Sequence, residues 1–310
     1  MNIERIEPLK PLLKWIGGKT QIIDKIMDQY PSEINNYHEI FIGGGSVLFA
    51  LLTYIKEGRI RIRNNIYASD LNKVLIYVYK NIQSRPNELY NAITILKEKY
   101  NSLQDEHNLV NINPDIERDV NCKESYYYWI RKRYNNMTED NKISIEGSAI
   151  FIFLNKTGFR GLYRMSRNGY NVPYGNYKNP EIINEDHLMA VHNLIQNVIF
   201  TCKNYVEALN NVLENDFIYM DPPYCKETAI SFVGYNNGGF KDEEHNILFE
   251  KCKEMNRMNI KWMMSNADVK QVKDSFIEDI YKKTIIECKR SINPKKPESK
   301  TNEVIIINYL

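Results

Sequence analysis

Asp221-Pro222-Pro223-Tyr224 follows directly on the apolar run Phe217-Ile218-Tyr219-Met220. Two prolines cannot continue a central strand, so the chain must leave the sheet there, at the strand end where open α/β sheets take their ligands. A carboxylate and a ring held in a stiff turn suit a planar aromatic amine. The ring would stack on Tyr224, while Asp221 and the carbonyl of Pro222 accept hydrogen bonds from the exocyclic nitrogen. Such an amine is a poor nucleophile because its lone pair is delocalised. Two acceptors would draw it toward tetrahedral geometry and balance the positive charge that grows during attack. Against an activated electrophilic carbon no separate nucleophile is needed, since in-line alignment supplies on the order of several kcal/mol. Read alone, the tetrapeptide is also compatible with a double-proline turn that does no chemistry.

Two further segments bear on a ligand. Glu39-Ile40-Phe41-Ile42-Gly43-Gly44-Gly45-Ser46 reads as a strand, a glycine turn and a helix, and glycines let a backbone approach a ligand closely. Asp70 ends the next strand, where an acidic residue either grips ribose hydroxyls or caps the helix that follows. Lys14-Trp15-Ile16-Gly17-Gly18-Lys19 ends like a phosphate-binding loop, but Leu13 stands where that loop needs glycine and Pro8 and Pro11 spoil the strand before it. His38-Glu39 hints at a deaminase, yet no Pro-Cys-x-x-Cys follows.

The elements that must position these residues are legible from periodicity. Short β-branched and aromatic runs stand at Tyr37–Ile42, Ile66–Ser69, Val198–Cys202, Phe217–Met220, Ile260–Met264, Tyr281–Ile286 and Val304–Tyr309. Helical patterns follow at Ser46–Glu57, Lys73–Gln83, Tyr205–Leu213, Glu243–Met258 and Lys270–Phe276, which predicts a doubly wound α/β sheet. Only a Pro/Lys-rich loop separates the last two runs, so they form an antiparallel hairpin at the sheet edge. Between Arg85 and Leu188 the strand signal fades and helices are expected at Pro86–Tyr100, Lys123–Asn135 and Ser148–Phe159. The expected division is a catalytic part over 1–83, a helical insertion over 84–190 and a second catalytic part over 191–310.

Composition narrows the class. In 310 residues no apolar run is long enough for a membrane span and no signal-peptide core opens the chain, which predicts a soluble cytoplasmic protein. The five cysteines are scattered and unpaired in pattern, so reduced thiols are expected, with no structural metal. A net charge of +2 names no partner. Charge is distributed unevenly, however: Lys156, Arg160, Arg164, Arg167 and Lys178 lie in one segment without an acid, interleaved with aromatics and glycines. That segment is either a solvated face or a nucleic-acid surface, and the aromatics favour the latter.

Taken in order, Lys14 to Lys19, Glu39 to Ser46, Asp70-Leu71-Asn72, Leu154 to Gly175 and Asp221 to Tyr224 resemble the motifs of the Dam-type (alpha group) DNA N6-adenine methyltransferases, over nearly the whole chain. The resemblance implies a Rossmann-like methyltransferase sheet with an inserted target-recognition domain carrying a β-hairpin. It implies S-adenosyl-L-methionine as methyl donor and double-stranded DNA as partner, with base flipping and no metal. Trp15, Lys19, Phe41, Gly43, Gly45, Asp70 and Asp221 would hold the cofactor. Asp221, Pro222, Pro223 and Tyr224 would be catalytic, and Lys156, Arg160, Tyr163, Arg164, Arg167 and Asn171 would contact DNA. Phe232, Tyr235 and Phe240 resemble the family's aromatic loop near the flipped base, and Arg290-Ser291-Ile292 with Lys300 and Glu303 its closing hairpin. A monomer or weak dimer is expected, in the bacterial cytoplasm or a viral host, with room for a separately acting cognate restriction endonuclease. The leading target is G-A-T-C.

Two positions depart from the family. Ile40 replaces the usual proline after Glu39, which is expected to loosen the turn, and Arg160 stands where many members have Asn, which bears on the recognised sequence. The rival enzymatic reading is a methyltransferase for another planar amine, such as RNA adenine, cytosine N4 or a glutamine amide. A catalytically silent DNA-binding module of the same fold is the rival from another class.

Overall fold

Apolar runs that are buried on both faces cannot stand alone, and in this chain they close ranks into one sheet covered by helices. The computed structural model describes residues 6–105, 112–225, 240–289 and 300–309. The chain divides into two compact units: one of residues 6–10, Lys19–Leu71 and the described residues from Asn197 on, the other of Pro11–Gly18 with Asn72–Gln196.

The first unit is a Rossmann-like, mostly parallel sheet. In chain order its strands are β1 (Tyr37–Glu39), β2 (Ile66–Asp70), β3 (Val198–Cys202), β4 (Phe217–Met220), β5 (Lys261–Ala267), β6 (Lys282–Lys289) and β7 (Lys300–Ile307). Across the sheet they lie in the order β6-β7-β5-β4-β1-β2-β3. β1 through β5 run parallel, and β7 is antiparallel to both β5 and β6, so the expected edge hairpin is present. The loop expected inside that hairpin, with Arg290, Ser291 and Ile292, lies outside the described residues, as do Phe232 and Tyr235.

β1 and β4 are neighbours although their connections lead to opposite sides of the sheet, which makes the crevice beyond their carboxyl ends the topological switch point. Their register is set from the other end. Asp216, immediately before β4, is buried and accepts hydrogen bonds from the Asn36 backbone N–H (3.1 Å), Asn36 Nδ2 (2.8 Å), Asn35 Nδ2 (2.9 Å) and Leu213 N–H (3.0 Å). His38 Nε2 lies 3.0 Å from its second oxygen. The network pairs Tyr37 with Phe217 and Glu39 with Tyr219, and a one-residue slip would turn every side chain of the strand to the wrong face.

β1 is shorter than the expected Tyr37–Ile42, although the Ile42 N–H still reaches the Ser69 carbonyl of β2 (3.0 Å) before Gly43 turns the chain at φ 49. The Ile40 side chain is buried, and its N–H, which proline would lack, reaches the Tyr219 carbonyl at 3.4 Å and carries the pairing one residue further.

The second unit is helical, with Ile145–Thr157 at its centre, packed against Lys73–Ser84, Pro86–Asn101 and Lys123–Asn136. Nearly every side of Ile145–Thr157 is buried, as a helix without a polar face requires. It starts earlier than the expected Ser148 because Ser144 Oγ accepts the Gly147 N–H (3.2 Å), and it stops at Thr157 before Gly158. The helix Glu185–Leu194 was not expected, although Asn184 caps it and two acids open it. A short antiparallel hairpin joins Met165–Ser166 to Gly169–Tyr170. Among the described residues no helix is long and apolar enough to cross a membrane.

The Asp216 network yields the first test. Asp216→Ala strands several buried donors, and we expect a loss of about 3 kcal/mol in unfolding free energy. Urea unfolding of both proteins measures it, and a loss within error of zero would remove the network as the lock on the strand register.

Candidate functional site

The site begins where the two registered strands end. Because Glu39 pairs with Tyr219, Phe41 and Asp221 leave the sheet side by side, each two residues past the pair. Pro222 is buried, while Asp221 keeps one-fifth of its side chain exposed, with Lys19 Nζ 2.7 Å from its Oδ2. Lys19 is itself only 2% exposed, so its ammonium has been stripped of water and depends on this partner. The Lys19 backbone N–H donates to Ser46 Oγ (3.0 Å), which ties the last residue of the Lys14–Lys19 motif to the start of the helix after the glycine turn. The same ammonium lies over the Tyr224 ring, 4.9 Å from its centre.

The corner is held from two other strands. The Tyr224 hydroxyl donates to Glu303 Oε2 of β7 (2.8 Å), and the Cys225 N–H donates to Asn266 Oδ1 of β5 (3.1 Å). Asn266 is fully buried, and its Oδ1 also accepts the Ala267 N–H (2.8 Å). Its role is not visible in the sequence. The signal available was its place at the carboxyl end of the strand beside β4, two residues beyond the registered pair Met220 and Met264.

Two further carboxyl groups, Glu39 and Glu303, lie close enough to Asp221 to interact with it. Burial pushes the Asp221 carboxyl up to about 6, with Lys19 pulling it back and Glu303 pushing further. Burial pushes Glu39 up to about 8, against the hydrogen bond from the Tyr37 hydroxyl (2.8 Å) and with added repulsion from Asp221. At neutral pH Glu39 therefore keeps its proton and Asp221 is mostly ionised.

The glycine turn is built as its residues require. Gly43 (φ 49) and Gly45 (φ 79) both take left-handed conformations that side chains disfavour, and Gly45 precedes the helix Ser46–Lys56 directly. Asp70 Oδ2 accepts the Gly43 N–H (3.1 Å). The helix after β2 is capped by Asn72, whose Oδ1 accepts the Leu75 N–H (3.2 Å), so the capping alternative for Asp70 is excluded. Phe41 stacks on Tyr205 (5.8 Å) and meets Phe240 edge-on (5.9 Å), while the Tyr205 hydroxyl donates to Glu244 Oε2 (2.7 Å). Tyr205 was missed, though it too follows the carboxyl end of a strand.

The remaining candidates belong to the second unit. Trp15 stacks on Tyr163 (5.8 Å), and Asn155 pins the preceding residue by accepting the Lys14 N–H (2.9 Å) and donating to its carbonyl (2.8 Å). Arg164 is committed across the hairpin to Asn171, donating to its Oδ1 (2.7 Å) and its carbonyl (2.9 Å). Lys156 is half-buried, and burial with Lys14 nearby lowers the proton affinity of its ammonium. Arg160 and Arg167 are exposed. Arg160 holds φ 56, a conformation that Asn adopts more readily than Arg, and its N–H donates to the Tyr177 hydroxyl (2.8 Å).

Comparison with known proteins shows the family to which the chain belongs. A family model described as D12 class N6 adenine-specific DNA methyltransferase matches residues 15–293. The chain is similar to the type II methyltransferase M.MjaIII of Methanocaldococcus jannaschii, 33% identical over 97% of this chain and 99% of that protein. It is similar to the DNA adenine methylase of Haemophilus influenzae at 28% identity over 96% of this chain and 93% of that protein. The DNA adenine methylase of Escherichia coli K12 is 25% identical over 97% and 95% respectively.

Glu39 supplies a test with a definite sign. Its proton is held up to about pH 8 in the folded chain but only to its ordinary value of 4.5 when unfolded, so the folded state binds more protons between them. Stability from this group is complete below pH 4.5 and is lost as pH rises toward 8. Glu39→Gln should flatten the fall in urea midpoint between about pH 6 and 8. Parallel curves for the two proteins would count against a protonated Glu39.

Proposed function

We propose, on the premise that the chain belongs to the D12 class of N6 adenine-specific DNA methyltransferases, that it methylates the N6 amine of an adenine taken out of the duplex and that the Asp221–Tyr224 corner is the seat of the reaction. The observation that supports this most is the partly exposed Asp221 carboxylate, oriented by the buried Lys19 beside a Tyr224 ring whose hydroxyl is tethered.

The residues present fit S-adenosylmethionine by the chemistry of their donors. Lys19 offers a buried ammonium to a carboxylate. Asp70, oriented by the Gly43 N–H, suits ribose hydroxyls, the Phe41 ring suits a flat base, and a surplus of carboxyl groups suits a cationic ligand. When bound, S-adenosylmethionine supplies an electrophilic methyl carbon on a sulfonium.

The chain's own residues then prepare the amine. Asp221 accepts a hydrogen bond from one N–H of the adenine amine and the Pro222 carbonyl from the other, which localises the lone pair on nitrogen. Asp221, ionised above about pH 6, stabilises the positive charge as the new C–N bond forms and holds the proton that must leave. Tyr224 stacks on the purine and Lys19 keeps the carboxylate from rotating. In the second unit, exposed Arg160 and Arg167 carry positive charge for the DNA backbone, with Arg160 also able to reach a guanine edge.

Asp221→Ala should lower methyl transfer to duplex DNA by roughly a hundredfold or more, read by digesting the DNA and quantifying N6-methyladenine. Unchanged turnover, or methylation found on cytosine instead, would overturn the assignment. DNA affinity should fall steeply between low and physiological salt, and a flat response would remove the phosphate contacts from the reading. Mapping methylated adenines in DNA from cells expressing the chain tests the G-A-T-C expectation.

A further inference from the structure

We propose that Glu303 is a positioning residue for the methyl transfer, acting through the Tyr224 hydroxyl to fix the plane of the ring on which the adenine stacks; this rests on the functional reading above. β7 is two strands from β4, with β5 between them. The chain that leaves β4 has crossed to β5 by Cys225, whose N–H meets Asn266, and from there the Tyr224 side chain reaches on toward β7. Its hydroxyl meets Glu303 at 2.8 Å, and the intervening strand supports the crossing through Asn266. The placement of Glu303 follows from pairing, since Glu303 is registered with Ala267 and Val304 with Asn266.

A phenol ring on its own turns about two side-chain torsions. Here the tip is held by a carboxylate and the face is covered by the Lys19 ammonium, so the ring orientation exists before any base arrives. A stacking platform alone has no need of a hydroxyl. The hydroxyl gains a purpose when it anchors the plane, because correct orientation of the amine toward the methyl carbon is what such a site contributes. Glu303 has a second, electrostatic consequence. Lys19 and the Tyr224 hydroxyl lower the proton affinity of Asp221 and Glu303 raises it, while Asp221 in turn raises that of its neighbours Glu39 and Tyr219.

The test is single-turnover and steady-state methylation of a duplex oligonucleotide by the full chain, comparing wild type with Glu303→Gln, Glu303→Ala, Tyr224→Phe and Glu303→Ala combined with Tyr224→Phe. Thermal unfolding midpoints are recorded for each. Glu303→Ala should lose roughly ten- to a hundredfold in kcat with KM for DNA unchanged. Glu303→Gln should recover most of that, since an amide oxygen accepts the same hydroxyl, and its acid limb should move below the wild-type value near pH 6 because a charge facing Asp221 is gone. Adding Tyr224→Phe to Glu303→Ala should cost little more than either alone. Multiplying losses in the double variant, or a Gln variant that neither rescues kcat nor shifts the acid limb, would overturn the proposal alone. A wild-type chain that leaves adenine unmethylated would overturn the functional reading and this proposal with it.

Discussion

A buried ammonium facing a carboxylate is the contact on which this site depends. Lys19 has lost nearly all its water and Asp221 most of its own, and neither charge would be tolerable without the other. The pair fixes the carboxylate where a planar amine can reach it. It also keeps Asp221 ionised near neutrality although burial and the neighbouring Glu303 carboxylate push the other way. Replacing the ammonium by hydration would loosen both, because water neither restrains a rotamer nor offsets the repulsion of Glu303.

Delivery of that pair is the task of the sheet. The Asp216 network at the amino ends of β1 and β4 sets the register, and the register brings Phe41 and Asp221 out of the sheet together at the switch point. Control thus runs along the strands from a buried polar cluster to the chemistry at the other end. Two devices finish the arrangement. Left-handed glycines turn the chain away after β1, and prolines stop β4 before Asp221 can be drawn into a ladder.

In the second unit the basic segment sorts into different physical roles. Arg164 is spent on holding Asn171 across the hairpin, and Lys156 lies half-buried beside Lys14. Arg160 and Arg167 remain at the surface. A run of like charges in sequence therefore overstated the charge presented to a polyanion, since a guanidinium bonded to a neighbouring side chain and carbonyl is already engaged in the fold.

The amino-acid order by itself determined the strands, the edge hairpin, the glycine turn and the break at Asp221-Pro222-Pro223, because each depends on periodicity or on backbone limits that belong to single residues. Motif order carried the resemblance to the adenine methyltransferases. Local competition for hydrogen bonds decided the helix limits, as Ser144 and Asn72 show. The partner of Lys19, the anchoring of Tyr224 on Glu303 and the bond from Gly43 to Asp70 were decided only by tertiary structure. The reason is one of connectivity: Lys19 meets Asp221, and Tyr224 meets Glu303, across long stretches of chain, and which groups meet depends on strand order and register, which no local pattern encodes.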